Sequence, residues 1–402
     1  MKKSIEKLKV YGIIIIKDQA IFVKREELMI RLGIIGCGNM TGQHLDSFET
    51  LKKQLTVSVV CDLNAERAER AMEILGAGRF CTEYRNILED VDAVLIALPH
   101  QLHYPVGKFF LENKKHVLME KPLCVKEEQC LELTRLAEKH NVTLMTAYPV
   151  RFWEETVKMK EYMESGIIGE VFQMTVYTDH YNPARDTRGT WMTCSGLGGG
   201  QTFSHGCHYI DILLWFLGNP VSGTHLGTNR GTPWMDREGT SHAVIKFESG
   251  AVGYHTGTWG ARGTTHSYKM DIYGTNGTLS YTTEGEHKGK ILLFRTKGYP
   301  EEEFCVKTLW EKGASAGKRT DGEIGHFVSC IQSGAKPLTD GRTSTTGLRV
   351  IWKLYEAEMN NEVANLRGLG FENPFIEEPI CKFDCDSEAA TADYKCVQKV
   401  KR

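Results

Sequence analysis

The residues best suited to chemistry begin early in the chain. The run Gly33-Ile34-Ile35-Gly36-Cys37-Gly38-Asn39-Met40-Thr41-Gly42 closes a β-branched stretch and opens a helix-like one. Gly36 permits a tight turn. Gly38 lets backbone N–H groups approach an anion at the positive end of the helix, with Asn39 and Met40 next along the same loop. The third small position of the G-x-G-x-x-G pattern falls on Thr41, with Gly42 one later. Asp62 ends the next β-branched run, Val59-Val60-Cys61-Asp62. That is near the ~20-residue spacing of a carboxylate that binds ribose hydroxyls. Strand, glycine turn, helix and acid together predict a dinucleotide site; the plain reading is a glycine turn with an acidic helix cap.

Two further groups fall at the ends of later apolar runs: Leu98-Pro99-His100-Gln101-Leu102-His103 and Met119-Glu120-Lys121-Pro122. In open α/β sheets, ligands sit beyond such strand ends. A lysine there, behind a buried strand, is open to a lowered ammonium pKa through desolvation; an ion pair with Glu120 is the rival reading of Lys121. Further on, Tyr181–Gly200 is a long loop with Arg185, Arg188 and Trp191. Arginines grip hydroxyls or carboxylates and tryptophan stacks on sugar faces, or else these are surface charges and one core aromatic. His205, His208 and Asp211 recur at three-residue spacing, which puts them on one helix face and also suits a metal.

These residues need a frame. From Ile30 the chain alternates strands (Arg31–Ile35, Val57–Cys61, Ala93–Leu98, His116–Met119, Val142–Met145) with helices (Gln43–Lys53, Ala65–Leu75, Tyr104–Glu112, Lys126–His140). Such alternation implies βαβ units and a parallel sheet buried on both faces. Near Tyr148-Pro149 the pattern changes. A helix over Glu154–Ser165 and a strand over Val171–Asp179 precede the loop, and an apolar helix over Phe203–Leu217 follows it. After Gly239 strands dominate (His242–Glu248, Val252–Thr258, Tyr268–Tyr273, Leu279–Thr283, Lys290–Arg295), with Asn276-Gly277 as a hairpin signal. Helices at Ile324–Gln332 and Thr345–Asn360 close the pattern. The expected fold is therefore an α/β parallel doubly wound domain over 29–149 and an α+β domain with an antiparallel sheet over 150–370. Residues 1–28 read as a loosely attached extension, although Tyr11–Ile16 has strand character, and 371–402 read as a peripheral tail.

The motifs resemble, in order, those of the glucose–fructose oxidoreductase / inositol dehydrogenase / MocA (Gfo/Idh/MocA) family. They are Gly-Cys-Gly-Asn, Asp62, Leu98-Pro99…His103, Glu120-Lys121-Pro122, Tyr148…Arg151-Phe152, Gly198-Gly199-Gly200 and His208…Asp211, spread over about residues 29 to 362. The resemblance implies a Rossmann domain and a C-terminal domain whose open antiparallel sheet makes homodimers or homotetramers. It also implies hydride transfer between NAD and a sugar, cyclitol or related polyol. Lys121 would contact the substrate hydroxyl and the nicotinamide ribose, and His208 would be the general acid/base, so no metal is expected. Gly36, Gly38, Asn39, Met40, Asp62, Leu98, Pro99, His103, Glu120 and Lys121 would line the cofactor. Arg151, Arg185, Arg188, Trp191, Ser204 and His205 would line the substrate. Asp62 favours NAD over NADP, since its carboxylate repels a 2′-phosphate. One departure stands out: the family often has aspartate four residues before the histidine, where this chain has Ser204. Two rival activities share the motifs, a redox-cycling glycosidase that regenerates NAD and a sugar- or NAD-sensing regulator; a sensor has no need of both Lys121 and His208.

Composition narrows the classes. The 402 residues carry 49 Lys+Arg against 51 Asp+Glu, a net charge of −2, which excludes a nucleic-acid-coating protein. With 41% hydrophobic residues the chain is too apolar for a disordered protein. No window approaches the ~20 apolar residues of a membrane span. The short run Val10 to Ile16, cut off by Lys17-Asp18, does not read as an export signal, and no export is expected. The 12 cysteines form no C-x-x-C pair and read as free thiols in a reducing cytoplasm; Cys381, Cys385 and Cys396, with no histidine nearby, are not assigned to a metal.

Overall fold

The computed structural model describes residues 11–16, 19–24, 29–38, 42–181, 191–264, 267–297, 303–312 and 319–383. Strands β1 (Tyr11–Ile16) and β2 (Gln19–Lys24) pair antiparallel as a two-stranded sheet of their own. The strand character of Tyr11–Ile16 is thus expressed, hydrogen-bonded to neither of the other two sheets.

A βαβ progression then runs through β3 (Ile30–Ile35), α1 (Leu45–Thr50), β4 (Leu55–Cys61), α2 (Ala65–Leu75), β5 (Arg79–Cys81), β6 (Ala93–Ile96), α3 (His103–Glu112), β7 (His116–Glu120), α4 (Glu127–His140) and β8 (Leu144–Ala147). The six strands are parallel, in the order β5-β4-β3-β6-β7-β8. Helices on both faces bury the central strands completely, so Val94, Leu95 and Ile96 are all 0% exposed. This explains their unbroken apolar run. The order reverses between β3 and β6, and the crevice at such a reversal is where ligands bind. Asn64 caps α2 by accepting from the Arg67 N–H. The three-residue β5 escaped the sequence reading because it is too short to show a period.

After α5 (Glu154–Glu164) and β9 (Val171–Asp179), the chain enters a π-helical turn, Thr202–Gly206, which runs into α6 (Cys207–Leu217). A nine-stranded sheet follows. It adds β10 (Pro220–Thr228), β11 (Thr240–Phe247), β12 (Val252–Thr258), β13 (Lys269–Gly274), β14 (Gly277–Thr282), β15 (Lys290–Lys297) and β16 (Glu303–Glu311) to β9. After α7 (Asp321–Ser333) and α8 (Gly341–Asn360), the short β17 (Ala364–Asn365) joins its edge. The order is β16-β15-β14-β13-β9-β12-β11-β10-β17. The sheet is antiparallel except where β9 lies parallel to β12, a pairing that the long connection between them permits. One face packs on α6 through Ala243, Ile245, Met270 and Ile272, all near 0% exposed; the other carries Leu226 at 70%.

The last two long helices return to the parallel sheet. Ile324, Phe327 and Val328 of α7 share a core with Ile30, Leu32 and Val60. Thr146 N–H donates to the Thr339 carbonyl at 2.8 Å, and the Thr339 hydroxyl donates back to the Thr146 carbonyl at 2.7 Å. The tail is also tied down where it is described. Glu127, on α4, forms a buried ion pair with Arg349 on α8 at 2.6 Å and accepts from the N–H groups of Ile380 and Cys381.

Candidate active site

The carboxyl ends of β3, β4, β6 and β7 bring the predicted nucleotide residues together. Gly36 has φ +96°, and a Cβ there would lie 2.3 Å from the Ala97 carbonyl oxygen, so only glycine fits between the ends of β3 and β6. Gly38 has open space around it. Asp62 turns back toward this loop: one carboxylate oxygen accepts from Cys37 N–H and the other from Asn64 N–H, both at 2.9 Å. The Arg67 guanidinium stands 3.6 Å away. A glycine cradle with room above it, beside a carboxylate aimed by two backbone amides, fits a dinucleotide whose ribose hydroxyls need an acceptor. Asn39 and Met40 lie outside the described residues. Leu98 and Pro99 are half-buried beyond β6.

His103 differs from the expected cofactor contact. Its ring is 0% exposed, and its two nitrogens lie 2.8 Å from the Pro122 carbonyl and 2.9 Å from the Leu98 carbonyl. Burial pushes its pKa down while the two carbonyls pull it up. The ring ties the end of β6 to the Lys121-Pro122 turn and keeps no nitrogen for a ligand. Glu120 is also buried and lies 3.1 Å from His44 Nε2. Glu120 is thus a buried neighbour of His44 rather than a carboxylate on the rim.

Lys121 reaches across the crevice. Its Nζ donates to the Ser204 carbonyl at 2.7 Å, in the π-helical turn that precedes α6. Turns of this kind widen the hydrogen-bond spacing and often mark functional sites. The same segment presents half-buried His205 and buried His208, whose ring centroids are 6.0 Å apart. His208 packs edge-on to Tyr148 at 5.5 Å, and His205 to His180 at 5.0 Å. Below them Cys207 is fully enclosed, and burial pushes its thiol up to about 12, so it is an uncharged neighbour of Lys121.

Arg151 is corrected from a substrate contact to a structural one. Its guanidinium makes a two-point ion pair with Asp211 at 2.6 and 2.8 Å, both side chains buried, and lies over the rings of Trp215 and Phe371. Its polarity is spent inside the protein, on Asp211 and the Leu338 carbonyl. Among the described residues no group of three His, Cys, Asp or Glu side chains is arranged to hold a metal. Arg185 and Arg188 lie outside the described residues. Trp191 is described, and its ring centroid is 4.2 Å from that of His100.

His100, Gln201 and His44 were not singled out from sequence. His100 Nδ1 lies 3.0 Å from the Gly198 carbonyl, docking the glycine-rich loop on the parallel-sheet domain. Gln201 accepts from the Ser241 hydroxyl at 2.5 Å and sits 3.4 Å from His205 Nδ1. His100 belongs to a motif read as a strand end, and Gln201 directly follows the three glycines. Neither carries a local signal for its docking role, because the Gly198 and Ser241 partners lie 98 and 40 residues away.

Comparisons with known proteins agree with this fold. Residues 30–148 match an oxidoreductase family with an NAD-binding Rossmann fold, and residues 156–280 match the GFO/IDH/MocA C-terminal domain. The 2,7-anhydro-N-acetylneuraminate hydratase of Escherichia coli (strain K12) is 26% identical over 276 residues, 64% of this chain and 72% of that protein. The levoglucosan dehydrogenase of Pseudarthrobacter phenanthrenivorans is 25% identical over 288 residues, 63% of this chain and 74% of that protein. A solved levoglucosan dehydrogenase in complex with NADH and levoglucosan superposes with a TM-score of 0.76 at 20% identity, over 84% of this chain and 99% of its own.

Proposed function

This chain belongs to the Gfo/Idh/MocA oxidoreductases, with NAD as cofactor, and on that premise we propose that it transfers a hydride to or from a hydroxyl-bearing carbon of a sugar, cyclitol or glycoside. The observation that carries the reading is the 2.7 Å contact of Lys121 with the Ser204 carbonyl. It sets the lysine at the end of the parallel sheet against the segment that bears His208. When bound, NAD supplies the hydride acceptor or donor. Lys121 and His208 take the substrate hydroxyl between them, one holding its oxygen and the other moving its proton. Ser204, His205 and Trp191 line the substrate side. Asp62 binds the ribose and disfavours NADP.

Free thiols at the described cysteines support a reducing, cytoplasmic setting. None of the described helices is long and apolar enough to cross a membrane. The open sheet face around Leu226 and Val244, 70% and 37% exposed, supports a homo-oligomer contact. The domains are drawn at 29–149 and 150–370, with 1–28 and 371–402 flanking them. The test is a panel of sugars, cyclitols and glycosides incubated with the protein and NAD, read for NADH and for product. NADH formation in step with substrate loss is the expected result. Product without net NADH identifies a cycled hydride, and no turnover on any member overturns the enzymatic reading.

A further inference from the structure

Thr202 opens the segment that carries Ser204, His205 and His208, and both of its own donor groups are held from outside that segment. Its N–H donates to Glu238 Oε1 at 2.9 Å, and its hydroxyl lies 2.9 Å from His225 Nε2. The other nitrogen of that ring is 2.8 Å from Glu358 Oε2, and Glu358 Oε1 accepts from Gly227 N–H at 2.7 Å. Glu238 Oε1 also accepts from the Tyr355 hydroxyl at 2.7 Å, whose oxygen accepts from Phe203 N–H at 3.2 Å. Gln201 N–H donates to the Glu238 carbonyl at 2.9 Å. Three successive amides at the start of a helical segment, which have no partner within it, are thus satisfied by Glu238 and Tyr355. The Glu238 carboxylate sits where the positive end of the helix favours it.

Thr202, His225 and Glu358 follow the atom order of a hydrolase triad. Thr202 is 0% exposed and His225 2%, so no substrate carbonyl can reach the hydroxyl, and the arrangement can hold but not attack. We propose that Glu238 and the His225–Glu358 pair are positioning residues. They fix Thr202 two residues ahead of the carbonyl that receives Lys121, and so set His208 against Lys121. The proposal rests on the roles given above to Lys121 and His208. The wide π-helical turn needs such a fixed point, because its spacing is not enforced by a regular helical ladder.

The test compares Thr202→Val, which keeps the shape and removes the hydroxyl, with Thr202→Ser, which keeps the hydroxyl. Hydrogen exchange at amides 203–208 and NAD affinity are measured for each, with kcat and KM on a substrate found in the panel. Thr202→Val is expected to speed exchange at 203–208 and to lower kcat by about 10²-fold, the scale of a ~1 Å misplacement, with NAD affinity unchanged; Thr202→Ser restores both. Wild-type kcat and exchange in a folded Thr202→Val protein would overturn the proposal. So would a fall in thermal midpoint with kcat intact. Should Thr202→Val not fold, Glu238→Gln is read by the same measurements. If no panel member turns over, the proposed function fails, while the exchange comparison still decides the anchoring.

Discussion

An alcohol carbon releases a hydride readily only as its hydroxyl proton leaves, so a site for this chemistry needs one group to hold the oxygen and another to take the proton. Lys121 and His208 stand on different elements, and the lysine donates a 2.7 Å bond to the Ser204 carbonyl. Lys121→Ala and His208→Ala are each expected to lower turnover by ~10²–10⁴-fold with NAD binding retained. Near-wild-type turnover in either would remove that residue from the mechanism. Ser204 contributes its backbone oxygen to Lys121, while its side chain has no charge with which to stabilise an imidazolium. On the proposed reading, proton handling then rests on Lys121 and His208, with His205 or His180 completing the relay. Ser204→Asp is expected to impair the native substrate; a gain on simple polyols with no loss on the native substrate would show the serine to be incidental.

At the scale of elements, the site is assembled from strand ends and one irregular turn. Gly36 and Asp62 come from adjacent parallel strands, and the π-helical turn before α6 sets the Ser204 carbonyl against Lys121 at the end of β7. The β1–β2 hairpin is paired within itself and hydrogen-bonded to neither larger sheet, and β3 is the first strand of the parallel sheet. A chain beginning at Met29 is expected to fold and to turn over like the full chain. Insolubility or lost activity on removing residues 1–28 would show that the hairpin supports the fold.

Across the whole molecule, α7, α8 and the start of the tail bind the two sheets into one body. Glu127 is the knot: it pairs with Arg349 at 2.6 Å and receives two tail amides, with both side chains at most 4% exposed. Glu127→Ala leaves the buried guanidinium without its carboxylate and is expected to cost ~3–5 kcal/mol in urea unfolding. A cost below ~1 kcal/mol, in the range of exposed pairs, would show that the strap is not held this way. His255 supplies a pH dependence. It is fully buried under Tyr209, and burial, reinforced by His225 and His242, pushes its pKa down to about 3. Between the ordinary histidine range near 6.5 and that value, the unfolded chain binds a proton that the folded one does not. Stability from this group is therefore full above about pH 6.5 and falls by up to ~1.4 kcal/mol for each pH unit below it. Thermal midpoints measured from pH 7 to pH 4 should decline steeply in the wild type and less so in His255→Gln; equal slopes would assign the acid sensitivity elsewhere.

Apart from the short β5, the strands and helices of residues 30–147 were legible from sequence alone, because parallel strands buried on both faces must be apolar throughout and the tight turn at Gly36 must be glycine. Lys121, Asp62 and the His208 segment could be placed from sequence since each sits at an end of a recognisable element, while the roles proposed for Lys121 and His208 come from the resemblance of the motifs. What only the tertiary structure decided is where long-range polar partners are spent. Arg151 looks like a ligand contact in sequence, but Asp211 consumes its guanidinium 60 residues on. His103 looks like part of the cofactor wall, but two backbone carbonyls hold its ring. The parallel pairing of β9 with β12 and the return of α7 to the first sheet belong to the same class. A hydrogen bond or buried face is satisfied by whatever group arrives in space, and neither spacing nor residue type records which group that is.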